Sequence, residues 1–261
     1  MSLAVSSHVP AAHQTLAVLR YLARQPGPVP AATIARDLEL PRSTTYHLLA
    51  VMARDAFVVH LPEEQRWGLG AGAFEIGSAY THQAPLARLA RPLVAHLVDT
   101  SGWAAHVAVL HGRDVLYVVE ERAPGRPPLV SDVGVRLPSH LTASGRSMLA
   151  ALPAAQVRAL FPDAAAFTLR TGAGPTTPSA LRQVLVATRR RGFAVEDGEV
   201  SPGLASVGVV VPDHTGHPAA AVACTFPAEA LDDDARRRLA ALVAGTARDL
   251  TRRTGGRPPP R

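Results

Sequence analysis

Apolar positions at the N-terminal end of the chain recur with a helical period. In 12–24 (AHQTLAVLRYLAR), Leu16, Leu19, Leu22 and Ala23 share one face, which predicts a first helix. Pro26-Gly27-Pro28 stops it. A short second helix is predicted over 30–38, with Ile34, Ala35 and Leu38 on one face. Leu40-Pro41 marks a turn, and Pro41 suits the first turn of a third helix, where a missing N–H costs little. That helix runs to Arg54; Thr45, Leu48, Leu49 and Met52, at i, i+3, i+4 and i+7, face the core. The pattern then changes to strand-like runs, Phe57–Leu61 and Gln65–Leu69, around Pro62-Glu63-Glu64. This reads as a β-hairpin wing. The glycine-containing stretch 71–84 reads as a linker helix.

From Pro85 a longer amphipathic helix is expected, with Leu86, Leu89, Ala90, Leu93, Val94, Leu97 and Val98 in one stripe and a kink or restart at Pro92. WAAHVAVL and DVLYVVEER read as two strands across His111-Gly112-Arg113, and a third is expected at Pro128–Val133. Helices are predicted over Thr142–Leu152, Ala154–Phe161 and Ser179–Arg191, the last ended by Gly192. Leu204–Val211 and Ala219–Phe226 form a hairpin around Asp213–Pro218. A final helix spans Asp232–Arg253, with aspartates at its start and arginines at its end. The fold class is α+β. The expected domains are 10–70, the linker helix 71–84, an effector-binding and oligomerisation domain at 85–253, and a disordered tail at 254–261 (TGGRPPPR).

Composition narrows the function classes. Length 261 suits two modest domains, and 47% hydrophobic residues are enough to build cores. The lone Cys224 forms no internal disulfide and supplies no thiolate zinc site, which points to a reducing cytoplasm. No signal-peptide pattern and no apolar run of membrane-spanning length appears. Net charge is +6, carried without a single lysine. In residues 1–80, six arginines balance six acids, so overall basicity gives no support to DNA binding there. Gly68, Gly70 and Gly72 do not form a dinucleotide fingerprint and mark the end of the wing. Glu196, Asp197 and Glu199 have no evident nucleophile beside them, and His106/His111 and His214/His217 lack helical metal-ligand spacing. No catalytic residue, metal or cofactor is expected.

Two helices, a tight turn and a wing are the geometry that sets the second helix in the DNA major groove. If Thr45, Leu48, Leu49 and Met52 face inward, then Arg42, Ser43, Thr44, Tyr46 and His47 point outward, early in the helix. Arg42 can pair with guanine or phosphate, and Ser43 and Thr44 suit either. Tyr46 and His47 suit phosphate or sugar, and Arg66 on the wing can reach a flanking phosphate or the minor groove. The competing reading of these residues alone is a three-helix subdomain with a solvated face.

In order along the chain, GPVPAATIARDLELPRSTTYHLLAVM, RWGLG, LTASGRSMLAAL, RRRGFAVEDGE, GLASVGVVVPD and AVACTFP resemble the IclR family of bacterial transcriptional regulators, over about Thr15 to Leu250. The resemblance implies a winged helix-turn-helix, a linker helix and a GAF-like effector-binding domain. It also implies a homodimer or homotetramer on a palindromic double-stranded DNA operator, and a small-molecule effector such as an organic acid. By motif it places Ala143 and Ser144, Glu196 or Asp197, Leu204 and Ser206, and Ala223 and Thr225 at the effector, with Cys224 on the opposite side of its strand. Read without the resemblance, Thr142 or Ser144 can equally cap a helix, and Glu196, Asp197 and Glu199 can form a solvated loop. The chain departs from the family pattern in three places. His47 stands where arginine is usual, Asp55-Ala56 replaces an acidic-then-glycine turn, and an arginine before the first helix is missing. The alternative function is a small-molecule-binding or enzymatic domain with an N-terminal helical oligomerisation module.

Overall fold

The computed structural model describes residues 9–83, 85–123 and 130–257, which divide into two compact units, Met1–Ala84 and Pro85–Arg261. In the first, α1 (Pro10–Leu22), α2 (Ala31–Asp37) and α3 (Arg42–Arg54) lead into a two-stranded hairpin of β1 (Val58–Leu61) and β2 (Arg66–Leu69). α4 (Ala71–Gln83) follows. Val18, Leu22, Ile34, Leu49, Met52, Val58 and Trp67 form the core. The inward face of α3 is Thr45, Leu49 and Met52, with Leu48 half-buried against the same cluster. On α1 the expected stripe is corrected: Val18 and Leu22 are buried, whereas Leu16 and Ala23 are exposed. Apolar residues occupy both sides of this helix, and positions two apart lie nearly opposite each other. Spacing between leucines alone therefore picks the wrong face.

Pro41 is the N-cap of α3 rather than its first helical residue. Its carbonyl accepts from both the amide (3.0 Å) and the hydroxyl (3.1 Å) of Thr45, which lets a hydroxyl sit fully buried. β1 and β2 pair antiparallel from Val58↔Leu69 to Leu61↔Arg66. Trp67 exchanges two backbone bonds with Val29 (2.9 and 2.8 Å), which ties the hairpin to the loop before α2, and His60 stacks on its indole at 4.4 Å.

The turn between α3 and β1 contains Ala56 at φ +59°, the left-handed region that costs a non-glycine residue about 1–2 kcal/mol. The Ala56 carbonyl accepts from Gly72 N at 2.9 Å, and a Cβ on Gly70 would lie 2.3 Å from it. The glycine run after the wing thus exists to let the chain pass this turn.

The second unit is built on a six-stranded antiparallel sheet, order β5-β4-β3-β8-β7-β6. The strands are β3 (Ala104–His111), β4 (Asp114–Glu121), β5 (Arg136–Pro138), β6 (Ala194–Asp197), β7 (Leu204–Pro212) and β8 (Pro218–Pro227). α5 (Pro85–Ser101) and α9 (Asp233–Arg253) cover one face, burying Val94, Leu97, Val222, Cys224, Val243 and Leu250. α6 (Ala143–Ala151) lies on the other face, with α7 (Ala154–Leu160) and α8 (Pro178–Arg191) packed around Leu149, Phe161, Leu181 and Leu185. The α6 contact is close. A Cβ on Gly208 of β7 would come within 2.8 Å of the Ala143 carbonyl, and one on Gly145 within 2.2 Å of Ser139 O.

Four expectations for this unit change. α5 runs through Pro92 without a break. Of the strand expected at Pro128–Val133, residues 128–129 lie outside the described residues and 130–133 are not strand; the edge strand forms three residues on, at Arg136–Pro138. Ala194–Asp197, weighed above as a loop, is a strand paired with β7. At the tail, Gly256 N donates to Thr251 O (2.7 Å) and Arg257 N to Asp213 O (2.9 Å); residues 258–261 lie outside the described residues. Strands of three and four residues are too short for a period to show.

Replacing Ala56 by glycine removes the left-handed penalty but adds about 0.4–1 kcal/mol of unfolded-state freedom. Ala56→Gly is therefore expected to stabilise the first unit by about 0.5–1 kcal/mol, read as a higher urea midpoint at unchanged m. An unchanged or lower midpoint would show that this turn carries no strain.

Candidate functional site

The first candidate surface is the start of α3. Arg42, Ser43, Tyr46 and His47 are exposed and Thr44 is half-buried, with Tyr46 at 54% of its full exposure. The inward bonding of Thr45 fixes the rotation of the helix and turns these five side chains outward together. Arg42 has no ion-pair partner among the described residues, unlike Arg36, which pairs with Asp37 at 2.8 Å, and Arg54, 3.6 Å from Asp55. The wing arginine differs from expectation in one respect. Arg66 is exposed, but its Nη1 donates to Pro28 O at 3.1 Å, so part of its fork is directed back to the loop before α2.

The second candidate lies between the sheet and the N-terminal end of α6. A small, partly open cavity of about 30 Å³ lies there. Its lining includes Ala143, Glu196, Leu204, Ser206 and Thr225, five of the residues expected from the motifs. The other three lie outside that lining. Asp197 points away and pairs with Arg236 at 2.8 Å. Ser144 is buried with its hydroxyl unpartnered, and Ala223 is packed within the sheet between His106 and Gly208. Alternation along β6 therefore decides between the two acids in favour of Glu196. Cys224 falls in the opposite core, where burial pushes its thiol up to about 12.

Sequence reasoning missed the floor of this cavity. His106 on β3 and Tyr117 on β4 line it, edge to face at 4.9 Å, together with Ser131 and Thr142. The available signal was a single polar residue interrupting each of two apolar strands. Thr142 is an N-cap, as one reading of the sequence allowed: its Oγ1 accepts from Gly145 N at 2.9 Å. Ser206 Oγ and Thr225 Oγ1 are 2.9 Å apart across the β7–β8 pair.

Burial sets the charge state here. Glu196 is only 2% exposed, and burial pushes its carboxyl up to about 7 against a backbone bond from Val200 N (3.0 Å) and the Ser206 hydroxyl. Burial likewise pulls His106 down to about 4, so its ring is neutral near pH 7. Two buried polar atoms of residues lining the cavity, His106 Nδ1 and Ser131 Oγ, have no hydrogen-bond partner among the described residues. Beside the cavity, Arg146 is 3% exposed, and each of its three nitrogens donates one hydrogen bond. Its Nε donates to His140 O (2.8 Å), Nη1 to Val195 O (2.7 Å) and Nη2 to Glu199 Oε1 (2.8 Å). Among the described residues no three His, Cys, Asp or Glu side chains gather as a metal site would need, and no helix is long and apolar enough to cross a membrane.

These two surfaces match one set of known proteins throughout. The model of the IclR helix-turn-helix domain matches residues 11–62, and that of the bacterial transcriptional regulator IclR C-terminal region matches 78–252. The chain is 29% identical to the transcriptional repressor IclR of Escherichia coli over 243 residues, covering 92% of this chain and 88% of the repressor. It is 28% identical to the repressor AllR of Salmonella paratyphi A over 250 residues, 94% of this chain and 89% of that one. A regulator structure from a Silicibacter species aligns at TM-score 0.84 and 22% identity, covering 96% of this chain and 98% of that one. An IclR homologue from Microbacterium hydrocarbonoxydans, solved with 4-hydroxybenzoate, aligns at TM-score 0.76 and 19% identity, covering 94% and 98%. With an exposed recognition helix in one unit, a polar cavity in the other and both family models matched in that order, this chain belongs to the IclR family of DNA-binding, ligand-responsive transcriptional regulators.

Proposed function

We propose that the chain acts in the cytoplasm as a homodimer or higher homo-oligomer on a palindromic operator, and that it regulates without catalysing a reaction. In this reading 10–70 binds DNA, 71–84 links, and 85–253 binds the effector and assembles. Arg42 reads a guanine edge or grips phosphate, Ser43 and Thr44 support it, Tyr46 and His47 contact the backbone, and Arg66 reaches a flanking phosphate with the donors Pro28 leaves free. The observation that carries this is Arg42, exposed and without an ion-pair partner among the described residues, at the start of a helix whose rotation is fixed by buried Thr45.

The effector occupies the cavity at the start of α6, bounded by Ala143, Glu196, Leu204, Ser206 and Thr225. The relative that holds 4-hydroxybenzoate supports a small organic effector. Besides the contact assigned to 85–253, a second contact between copies is supported by an apolar groove in the first unit lined by Leu16, Leu19, Val51, Leu69 and Ile76. Leu16 and Ile76 remain more than half exposed, a surface suited to a second copy of the same helices.

An operator selected from a random duplex pool allows these readings to be tested by fluorescence anisotropy. Arg42→Ala is expected to weaken binding by about 1–3 kcal/mol if it reads guanine, or to lower the salt slope by about 1 if it contacts phosphate. Unchanged affinity and slope would remove Arg42 from the interface. Ile76→Glu is expected to shift the chain toward monomer in sedimentation and weaken operator binding at least about tenfold, since a monomer forfeits the second half-site. A native oligomer with native affinity would place the interface elsewhere.

A further inference from the structure

A groove of about 210 Å³ lies between α7 and α8, and its lining shares no residue with the cavity at the start of α6. On α8, Arg182, Leu185, Val186 and Arg189 fall at i, i+3, i+4 and i+7, so one face of the helix meets the groove. Val157, Arg158 and Phe161 meet it from α7 and its C-cap.

The floor is apolar. Phe161, Leu181 and Leu185 belong to the core beneath it, Val157 is half-buried, and Val186 is 43% exposed. The rim is cationic: Arg158, Arg182 and Arg189 are all exposed, and no acid among the described residues lines the groove. Arg158 and Arg182 make no hydrogen bond or ion pair among the described residues. Arg189 commits only Nε, to Ala150 O at 2.7 Å. That bond anchors the guanidinium and leaves Nη1 and Nη2 for another acceptor.

The surrounding chain supplies no counter-charge. Residues 153–195 contain six arginines and one acid, Asp163, which accepts from Ala165 N at 2.9 Å. An exposed helix gains from acids set three or four residues from its bases, yet α8 carries four arginines and no acid. Arg189, Arg190 and Arg191 suit the dipole at the end of the helix; Arg182, in its second turn, has no such reason to be there.

We propose that this groove is a second small-molecule site, separate from the effector cavity, and that it takes an amphipathic anion. The apolar body lies on the floor, and a carboxylate or phosphate head is gripped by the arginine forks, whose planar geometry matches both groups. An apolar cavity of about 150 Å³ holds benzene, so this groove holds a body of about eight carbons. The methylene stems of the arginines extend the apolar wall along that body.

Calorimetric titration of the full-length protein at neutral pH tests this with octanoate and octyl phosphate as probes. Octanamide supplies the body without the charge, and acetate the charge without the body. The octyl anions are expected to bind at least about tenfold more tightly than either, and the tighter of the two identifies the head group. Arg158→Ala and Arg182→Ala are each expected to weaken the anions about tenfold, and Val186→Glu to remove their binding by placing a carboxylate on the floor. All three substitutions change exposed side chains, and near-UV circular dichroism verifies the fold.

Anion affinity unchanged by all three substitutions would seat the probe elsewhere and overturn the proposal, leaving the effector cavity untouched. Octanamide or acetate binding as tightly as the octyl anions would overturn it too, as would no binding of any probe. A lower oligomeric state for Val186→Glu in sedimentation would show that a second copy of the chain covers the groove, and would equally overturn the small-molecule site.

Discussion

The guanidinium of Arg146 is the fixed point of the ligand-binding unit. A planar, permanently charged group is buried there, and a buried charge persists only when its donors are satisfied. Three segments that are distant in sequence satisfy it: the turn at His140, strand β6 at Val195 and the loop at Glu199. Those same segments bound the cavity. The bond to Val195 fixes β6, whose alternation then turns Glu196 inward and leaves Asp197 to Arg236 on the other side. Close packing completes the arrangement, since glycine at 145 and at 208 is what allows α6 to approach Ser139 and β7. One arginine thus shapes the site.

The DNA-binding unit solves a different problem. It is formally neutral, so affinity must come from where charges point rather than from how many there are. Arg36 and Arg54 lie against neighbouring acids, and Arg66 is partly drawn to Pro28. Arg42 is left exposed and without an ion pair among the described residues. The bonds that turn it outward belong to Thr45, a buried hydroxyl bound to the Pro41 carbonyl. The contact proposed for Arg42 thus depends on a core interaction, the bond from Thr45 to Pro41 O.

The parts of this architecture that were legible in the sequence are those where one long element has one buried face. The stripe on α5, the inward side of α3, the Asp-capped start of α9 and the β7–β8 hairpin all satisfy that condition. α1 failed it, because Leu16 and Val18 offer two faces and only packing chooses between them. β5 and β6 failed it by shortness. For the cavity, the motifs located the walls, Ala143, Glu196, Leu204, Ser206 and Thr225, because they lie on segments with recognisable local patterns. The floor was hidden. His106 and Tyr117 meet only through the β3–β4 register, and a lone polar residue in a strand does not reveal its partner on the next.

The unsatisfied atoms of that floor have a consequence for regulation. A buried polar group without a partner costs about 1–3 kcal/mol, and among the described residues His106 Nδ1 and Ser131 Oγ are both in that state. The raised carboxyl of Glu196 is a third such cost, since its folded-state value of about 7 exceeds the unfolded one near 4.5. The sign follows: stability from protonated Glu196 is present below the unfolded value and is lost as pH rises through the folded one. His106 runs the other way, neutral when folded and losing stability as pH falls below its ordinary 6.5 toward about 4. The two slopes oppose each other between about pH 4.5 and 6.5. A ligand that supplies a donor to Glu196 and partners to the floor relieves these costs together. It stabilises the arrangement of β6, the Glu199 loop and the α6 start that Arg146 also holds. Differential affinity of that kind is what a small molecule needs in order to shift a conformational equilibrium.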